Sequence, residues 1–397
     1  MRHNLLASVT IATAALVTGC NAGGLTPNQK SQANQQWNDA RANVLESLAS
    51  DQYKDGSLDK CQTTLAQALR LAPDHVSLHL LAAKVLIEQN HLELAQQQLA
   101  DAHRLDRKNA EAEYLQGVVF QHWQQFEKAR LAYADAVKDD PTELSYVLAQ
   151  AEMRVAEGQP SAALELLQSK AMVFEHSGVI RDAIGQLLIQ QNRHAEGIAE
   201  LREACLLLGD EPTLREHLAF ALLANNQFTE AGDCFQMLAK EPDYQKRADV
   251  RAALAKCQSQ SHQYAEARSN YLAATQLNPS CCGYWLGLAK TAIELSDLTG
   301  AEQASRRAIE VDPTSSAARC LMGFVNLRQN RLPEALTAFR AAIDADPFDS
   351  VSVCMAGYVL SKSGQPLEAK ELYARALRLD PKSKLAASLS DAMAAAQ

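Results

Sequence analysis

Pro279, Pro313, Pro347 and Pro381 stand 34 residues apart in succession, and each closes a similar phrase: QLNP, EVDP, DADP and RLDP. Toward the other end, Pro73 in LAPD, Arg107 in LDRK and Pro141 in KDDP keep the same step. A fixed period of this size means stacked copies of one supersecondary unit rather than a single globular core. It also narrows function, because a stack of small units mainly offers an extended surface. The composition suits helices: 47% of the 397 residues are hydrophobic, with only 17 Gly and 12 Pro. A net charge of −9 argues against a nucleic-acid binder, which needs a basic stripe to gain counterion release. The same charge argues against electrostatic attachment to anionic lipid.

With each proline at position 32 of its unit, copies begin at 42, 76, 110, 144, 178, 212, 248, 282, 316 and 350. In the last four, position 8 carries Ala255, Ala289, Gly323 and Gly357, and position 20 carries Ala267, Ala301, Ala335 and Ala369. Position 24 carries Tyr271, Ser305, Phe339 and Tyr373, and position 27 carries Ala274, Ala308, Ala342 and Ala376. This pattern resembles the tetratricopeptide repeat, a pair of antiparallel helices with small residues at 8, 20 and 27 and an aromatic at 24. Trp285 and Leu288 fit its positions 4 and 7. The resemblance implies an all-α fold, an α-solenoid of about ten helix-turn-helix repeats forming a superhelix. The array would occupy 42–383, with a capping helix over 384–397. Small residues let the two helices of a unit cross closely, the aromatic fills space between units, and proline stops the second helix. The middle copies depart: Lys170 takes position 27, Gly197 takes position 20, Pro212 and Pro242 fall out of phase, and two extra residues enter around 246–247. The register of the fifth and sixth units stays open on sequence alone.

The N-terminus is a separate segment. Arg2 and His3 precede an apolar run from Leu5 to Val17, too short to span a bilayer and suited to a signal peptide over 1–19. The ending Val17-Thr18-Gly19-Cys20 resembles the lipobox of bacterial lipoprotein precursors. That resemblance makes Cys20 the lipidation site, with Asn21 after it favouring the outer membrane; the competing reading is an ordinary secretory signal. Residues 20–41 would then hold the lipidated Cys, a tether and the entry to the first helix, the tether being the polar stretch 21–36.

No Gly-rich phosphate loop, nucleophile elbow or His-Glu-x-x-His stretch occurs, so no catalytic residue, cofactor or metal is assigned. His75 and His79, four apart beside Asp74, read as structural histidines rather than metal ligands. Besides Cys20 there are eight cysteines and no C-x-x-C pair, so they read as small buried hydrophobes. Cys281-Cys282 at an inter-repeat turn is the most reactive spot, and Cys320 with Cys354, both at position 5, would face one groove.

In arrays of this kind the first-helix positions 2, 5, 9 and 12 line the partner groove. Position 9 of the last four units reads Lys256, Lys290, Phe324 and Tyr358, a pair of ammonium groups followed by two rings. Leu286, Ile293 and Leu327 would add apolar wall. Such a strip suits an extended peptide with an acidic and an apolar end. The competing reading makes the rings inter-repeat packing and the lysines a solvated face. No lysine stands at position 5, so the clamp by which chaperone-binding arrays grip a C-terminal carboxylate is missing.

The expectation is a non-catalytic protein-binding scaffold, lipid-anchored in the bacterial envelope and facing the periplasm. Its partner would be an extended peptide segment or another envelope protein. By resemblance it would be an assembly factor for a pilus, secretion or envelope complex. The alternative is a recruiting or regulatory subunit of a cell-wall or exopolysaccharide enzyme machine.

Overall fold

The computed structural model describes residues 26–209 and 211–395. The signal segment and Cys20 lie outside the described residues. All regular structure among the described residues is helical, and the chain divides into two compact units, through Glu157 and from Gly158.

The first unit contains α1 (Pro27–Lys54), α2 (Leu58–Leu71), α3 (Val76–Glu88), α4 (Leu92–Leu105), α5 (Ala110–His122), α6 (Phe126–Asp139) and α7 (Leu144–Ala156). Each helix packs on the next in the chain. The core between α1, α2 and α3 is formed by Ala42, Ala49, Cys61, Leu65, Ala68, Leu78 and Val85.

The second unit opens with α8 (Pro160–Ala171), α9 (Gly178–Gln190), α10 (His194–Leu208), α11 (Pro212–Ala224), α12 (Phe228–Leu238), α13 (Ala248–Gln260) and α14 (Tyr264–Leu277). It continues with α15 (Cys282–Glu294), α16 (Leu298–Val311), α17 (Ser316–Arg328), α18 (Leu332–Ala345), α19 (Ser350–Lys362), α20 (Pro366–Leu379) and α21 (Lys384–Ala395). α21 lays Ala386, Leu389 and Met393 against the core formed by Val353, Leu360, Tyr373 and Ala376. The two additional residues of the worn middle fall in the link between α12 and α13, which includes a 3₁₀ turn over Pro242–Tyr244.

Two local devices repeat with the period. The first is the turn inside each pair. Gly56, Asn90, Gln124, Gly158, Asn192, Asn226, His262, Ser296, Asn330 and Gly364 all have φ between 58° and 77°. Each stands at position 15. A left-handed residue there lets the chain reverse while orphan helix carbonyls stay bonded: Asn330 N–H donates to Leu327 O at 3.0 Å and Arg331 N–H to Asn326 O at 2.9 Å. Asn192 and Asn226 keep this turn in phase through the worn middle.

The second device closes the turn between pairs. The carbonyl of the position-32 proline accepts a side-chain donor from a following helix. His79 Nε2 donates to Pro73 O at 2.8 Å, Trp285 Nε1 to Pro279 O at 2.8 Å and Arg375 to Pro347 O at 3.0 Å. Arg319 donates to Pro313 O in the same way. Buried His79 also stands 2.8 Å from the Gln98 side-chain amide, so its role is structural.

The crossing of each pair is set by positions 8 and 24. A Cβ at Gly323 would stand 2.6 Å from Phe339 Cε1, and one at Gly357 3.1 Å from Tyr373 Cε1. Gly117 meets the ring of Tyr133 in the same manner. The ring therefore sits over the glycine of its own pair, as well as beside the next unit.

Two expectations need correcting. The stretch 21–36, read as an extended tether, is helical from Pro27 onward. Thr26 and Gln29 form a capping box and Pro27 opens the first turn, so local capping outweighs the polar composition. Cys320 and Cys354 do not face an open groove: they are 7% and 1% exposed, because position 5 in these pairs turns into the packing between neighbouring first helices.

Candidate partner-binding surface

Among the first helices, α13 packs beside α15 and α15 beside α17, while α17 and α19 share the core around Cys320 and Met355; the four position-9 residues stand at equivalent places on them. Lys256 and Lys290 are exposed at equivalent places on α13 and α15, and neither makes an ion pair among the described residues. Phe324 and Tyr358 are half-buried at the same place on α17 and α19. The Phe324 ring meets Phe339 edge-on, with centroids 5.5 Å apart and planes at 89°. Lys362 Nζ stands 5.5 Å from the centroid of the Tyr358 ring. Phe324, Leu327 and Tyr358 flank one core with Cys320, Met355 and Val359. Leu286 and Ile293 flank another, with Ala252, Leu288 and Leu321. The apolar half of the strip thus contributes to inter-repeat packing while keeping part of its surface in water. The basic half is fully presented.

Four thiols lie buried beneath or beside this face. Burial pushes Cys320 and Cys354 each up to about 11, leaving them protonated near neutrality. Cys234 and Cys257 are raised to about 11 for the same first reason. Cys281 and Cys282 are half-exposed and unbridged, and Cys282 Sγ lies 3.6 Å from Ala308 O.

Two hollows escaped sequence reasoning. One, of about 700 Å³, opens between α14 and α16 over Trp285, Leu288 and Ala292, rimmed by Arg268, Arg306 and Arg307. These arginines pair with Asp297, Glu302 and Glu310 at 2.7–3.1 Å. The other, about 490 Å³, lies in the first unit between α5 and α7, where Tyr114, Val118 and Glu152 meet. The signal for it was available: Tyr114, Tyr133 and Tyr146 fall within 33 residues of a chain with only ten tyrosines. Among the described residues, no group of three or more His, Cys, Asp or Glu side chains is placed to hold a metal ion. No helix there is long and apolar enough to cross a membrane.

Residues 207–397 match the family described as "Cilia and flagella-associated protein 70 C-terminal domain", a tetratricopeptide-repeat family. With the paired helices, the position-15 turns and the small-residue crossings, the chain is a tetratricopeptide-repeat protein with an all-α solenoid fold. No curated protein sequence matches it. Among solved structures, MamA 41-end from Desulfovibrio magneticus RS-1 is 15% identical over 44% of this chain and 98% of its own, at a TM-score of 0.40. YrrB, titled a TPR protein with an unusual peptide-binding site, is 16% identical over 57% and 97%, at 0.34. The APC/C hetero-tetramer Cut9-Hcn1 is 12% identical over 92% and 93%, at 0.47. Likeness at these scores and identities says nothing about partner or role. Tetratricopeptide arrays are in general interaction scaffolds, and what each one holds depends on its surface residues.

Proposed function

We propose that this chain is a non-catalytic scaffold whose second unit holds an extended partner segment along Lys256, Lys290, Phe324 and Tyr358. The observation that carries the reading is the pair of unpartnered ammonium groups, one repeat apart, running on into two half-exposed rings. Acidic side chains would meet the lysines and apolar ones the rings, with Leu286, Ile293 and Leu327 as wall. The test is a synthetic extended peptide with two acidic residues at one end and two apolar residues at the other. Phe324→Ala combined with Tyr358→Ala should weaken its binding by roughly tenfold or more while helicity stays intact. Unchanged affinity would remove the strip as the site.

The scaffold is also proposed to be anchored by a lipid on Cys20 and to face the periplasm, where it would serve assembly of a pilus, secretion or envelope complex. Support comes from the lipobox-like ending and the short apolar run before it. Cys20→Ala should move the protein from the membrane to the soluble fraction. Persistent detergent dependence would contradict the anchor.

A further inference from the structure

Tyr114 on α5 is the middle of three rings in the first unit. Its centroid lies 5.4 Å from that of Tyr133 on α6 and 4.9 Å from that of Tyr146 on α7. Tyr133 is buried and donates its hydroxyl to Gln121 Oε1 at 2.7 Å, which holds the group in place from below. Tyr114 itself is half-buried and forms one wall of the 490 Å³ recess, with Val118 and Ala149 as floor and Glu152 and His122 at the mouth.

Glu152 differs from three nearby carboxylates that have a basic partner, and from Glu143, which accepts from Ser145. Glu111 pairs with Lys84, Glu113 stands 3.0 Å from His103, and Glu157 takes Arg130 at 3.0 Å. Glu152 is exposed and makes no ion pair among the described residues. Its charge is felt at the rings: after burial, Glu152 and Glu143 push the Tyr114 hydroxyl up, and Glu111 and Glu143 do the same for Tyr146. The recess therefore combines aromatic faces with negative potential, and among the described residues no lysine or arginine lines it.

The second unit builds this combination with the cation in place. Arg247 lies over the ring of Tyr244 at 5.3 Å while its guanidinium donates to Glu216 Oε1 at 2.7 Å. A ring face and a carboxylate together suit a guanidinium or ammonium, which the ring attracts through its quadrupole and the carboxylate through its charge.

We propose that the recess between α5 and α7 binds a basic side chain of an extended partner segment, with the cation over Tyr114 and Glu152 as its counter-ion. This site stands apart from the Lys256–Tyr358 strip and does not depend on it.

The test uses the full chain and two labelled peptides that differ at one residue. One carries a single arginine among serines and glycines; the other carries the neutral isostere citrulline. Fluorescence anisotropy should show saturable, salt-sensitive binding of the arginine peptide, with the citrulline peptide weaker by about fivefold or more. Glu152→Gln, an exposed and nearly isosteric change, should reduce arginine-peptide binding by the same factor. Tyr114→Phe keeps the ring and should retain binding; Lys256→Ala with Lys290→Ala should leave it unaltered. Equal binding of the two peptides, indifference to Glu152→Gln, or no saturable binding would each overturn the proposal. Loss only in the lysine variant would overturn it too, by placing the contact on the other strip.

Discussion

The first-helix faces of the two units use the same register for opposite chemistry. In the first unit, positions 5, 9 and 12 of α5 bring Tyr114, Val118 and Gln121 to the surface, and position 9 of α7 adds Glu152. In the second, position 9 supplies Lys256, Lys290, Phe324 and Tyr358. The helices that carry them are built alike, thirteen residues long and ended by a left-handed residue. The sign of the surface is thus free to change from repeat to repeat, because the residues that hold the pairs together lie elsewhere, at positions 8, 15, 20, 24 and 27. The columns that set the crossing and the turn are thus distinct from position 9, where Phe324 and Tyr358 also pack against the neighbouring repeat.

The largest expected effect strikes that separation at a folding column. Gly323→Leu would drive a side chain into the Phe339 ring and should lower stability by roughly 1–3 kcal/mol in urea unfolding. Gly117→Leu against Tyr133 should do the same in the first unit. If only one of the two variants is destabilised, the units are not built by one rule.

The turn column comes next. Ser296 has φ of 60°, a region that costs an ordinary L-residue roughly 1–2 kcal/mol. Ser296→Gly should therefore raise stability by up to about 1 kcal/mol, after the entropy that glycine loses on folding. The same replacement at half-buried Ser259, inside α13, should lower it. Equal effects at both positions would contradict a special turn at position 15.

A smaller effect is tied to pH. His217 Nδ1 stands 2.8 Å from Asp182 Oδ1, with Gln186 beside both, and the hydrogen bond to Asp182 raises the His217 pKa. Because the folded value is the higher one, the stabilisation is fully present below about pH 6.5, the ordinary histidine value, and is lost as pH rises through the folded pKa. His217 is about a third exposed, so the amount should stay below about 1 kcal/mol. Asp182→Asn should bring the His217 titration, followed by NMR, back down. An unmoved titration would remove the pair as its cause.

The smallest effect falls on the exposed half of the position-9 column. Lys290→Ala should leave stability within about 0.5 kcal/mol, since the side chain is exposed and unpaired. A larger loss in thermal melting would mean that Lys290 also serves folding.

The repeat period and the helix-pair fold were legible in the sequence because proline and alanine at fixed spacing report backbone constraints directly. What escaped notice are constraints on backbone that different side chains meet. Asn, Gly, Gln, His and Ser all take the left-handed turn, so position 15 shows no single letter. Likewise the proline carbonyl accepts from His79, Trp285, Arg319 or Arg375, and only the acceptor is constant. The helical start at Pro27 was hidden by a polar composition that suggests a tether, although Thr26 and Gln29 spell a capping box. The groove residues could be numbered but not weighed: Phe324 and Tyr358 are each part packing and part surface, a division that depends on Phe339 and Met355 beside them. The first-unit recess depends on rings from three helices meeting at one place, which spacing alone does not report.

The central claim is that partners are held on the first-helix face of the second unit. Site-specific photocrosslinking in the protein's native cells tests it most directly, with the crosslinking residue placed at Lys256 and, as a contrast, at exposed Gln303 beside the hollow between α14 and α16. The expected result is a discrete adduct from position 256 that Phe324→Ala with Tyr358→Ala abolishes, and none from position 303. An adduct from 303 alone, or one from 256 that survives the double substitution, would contradict the claim.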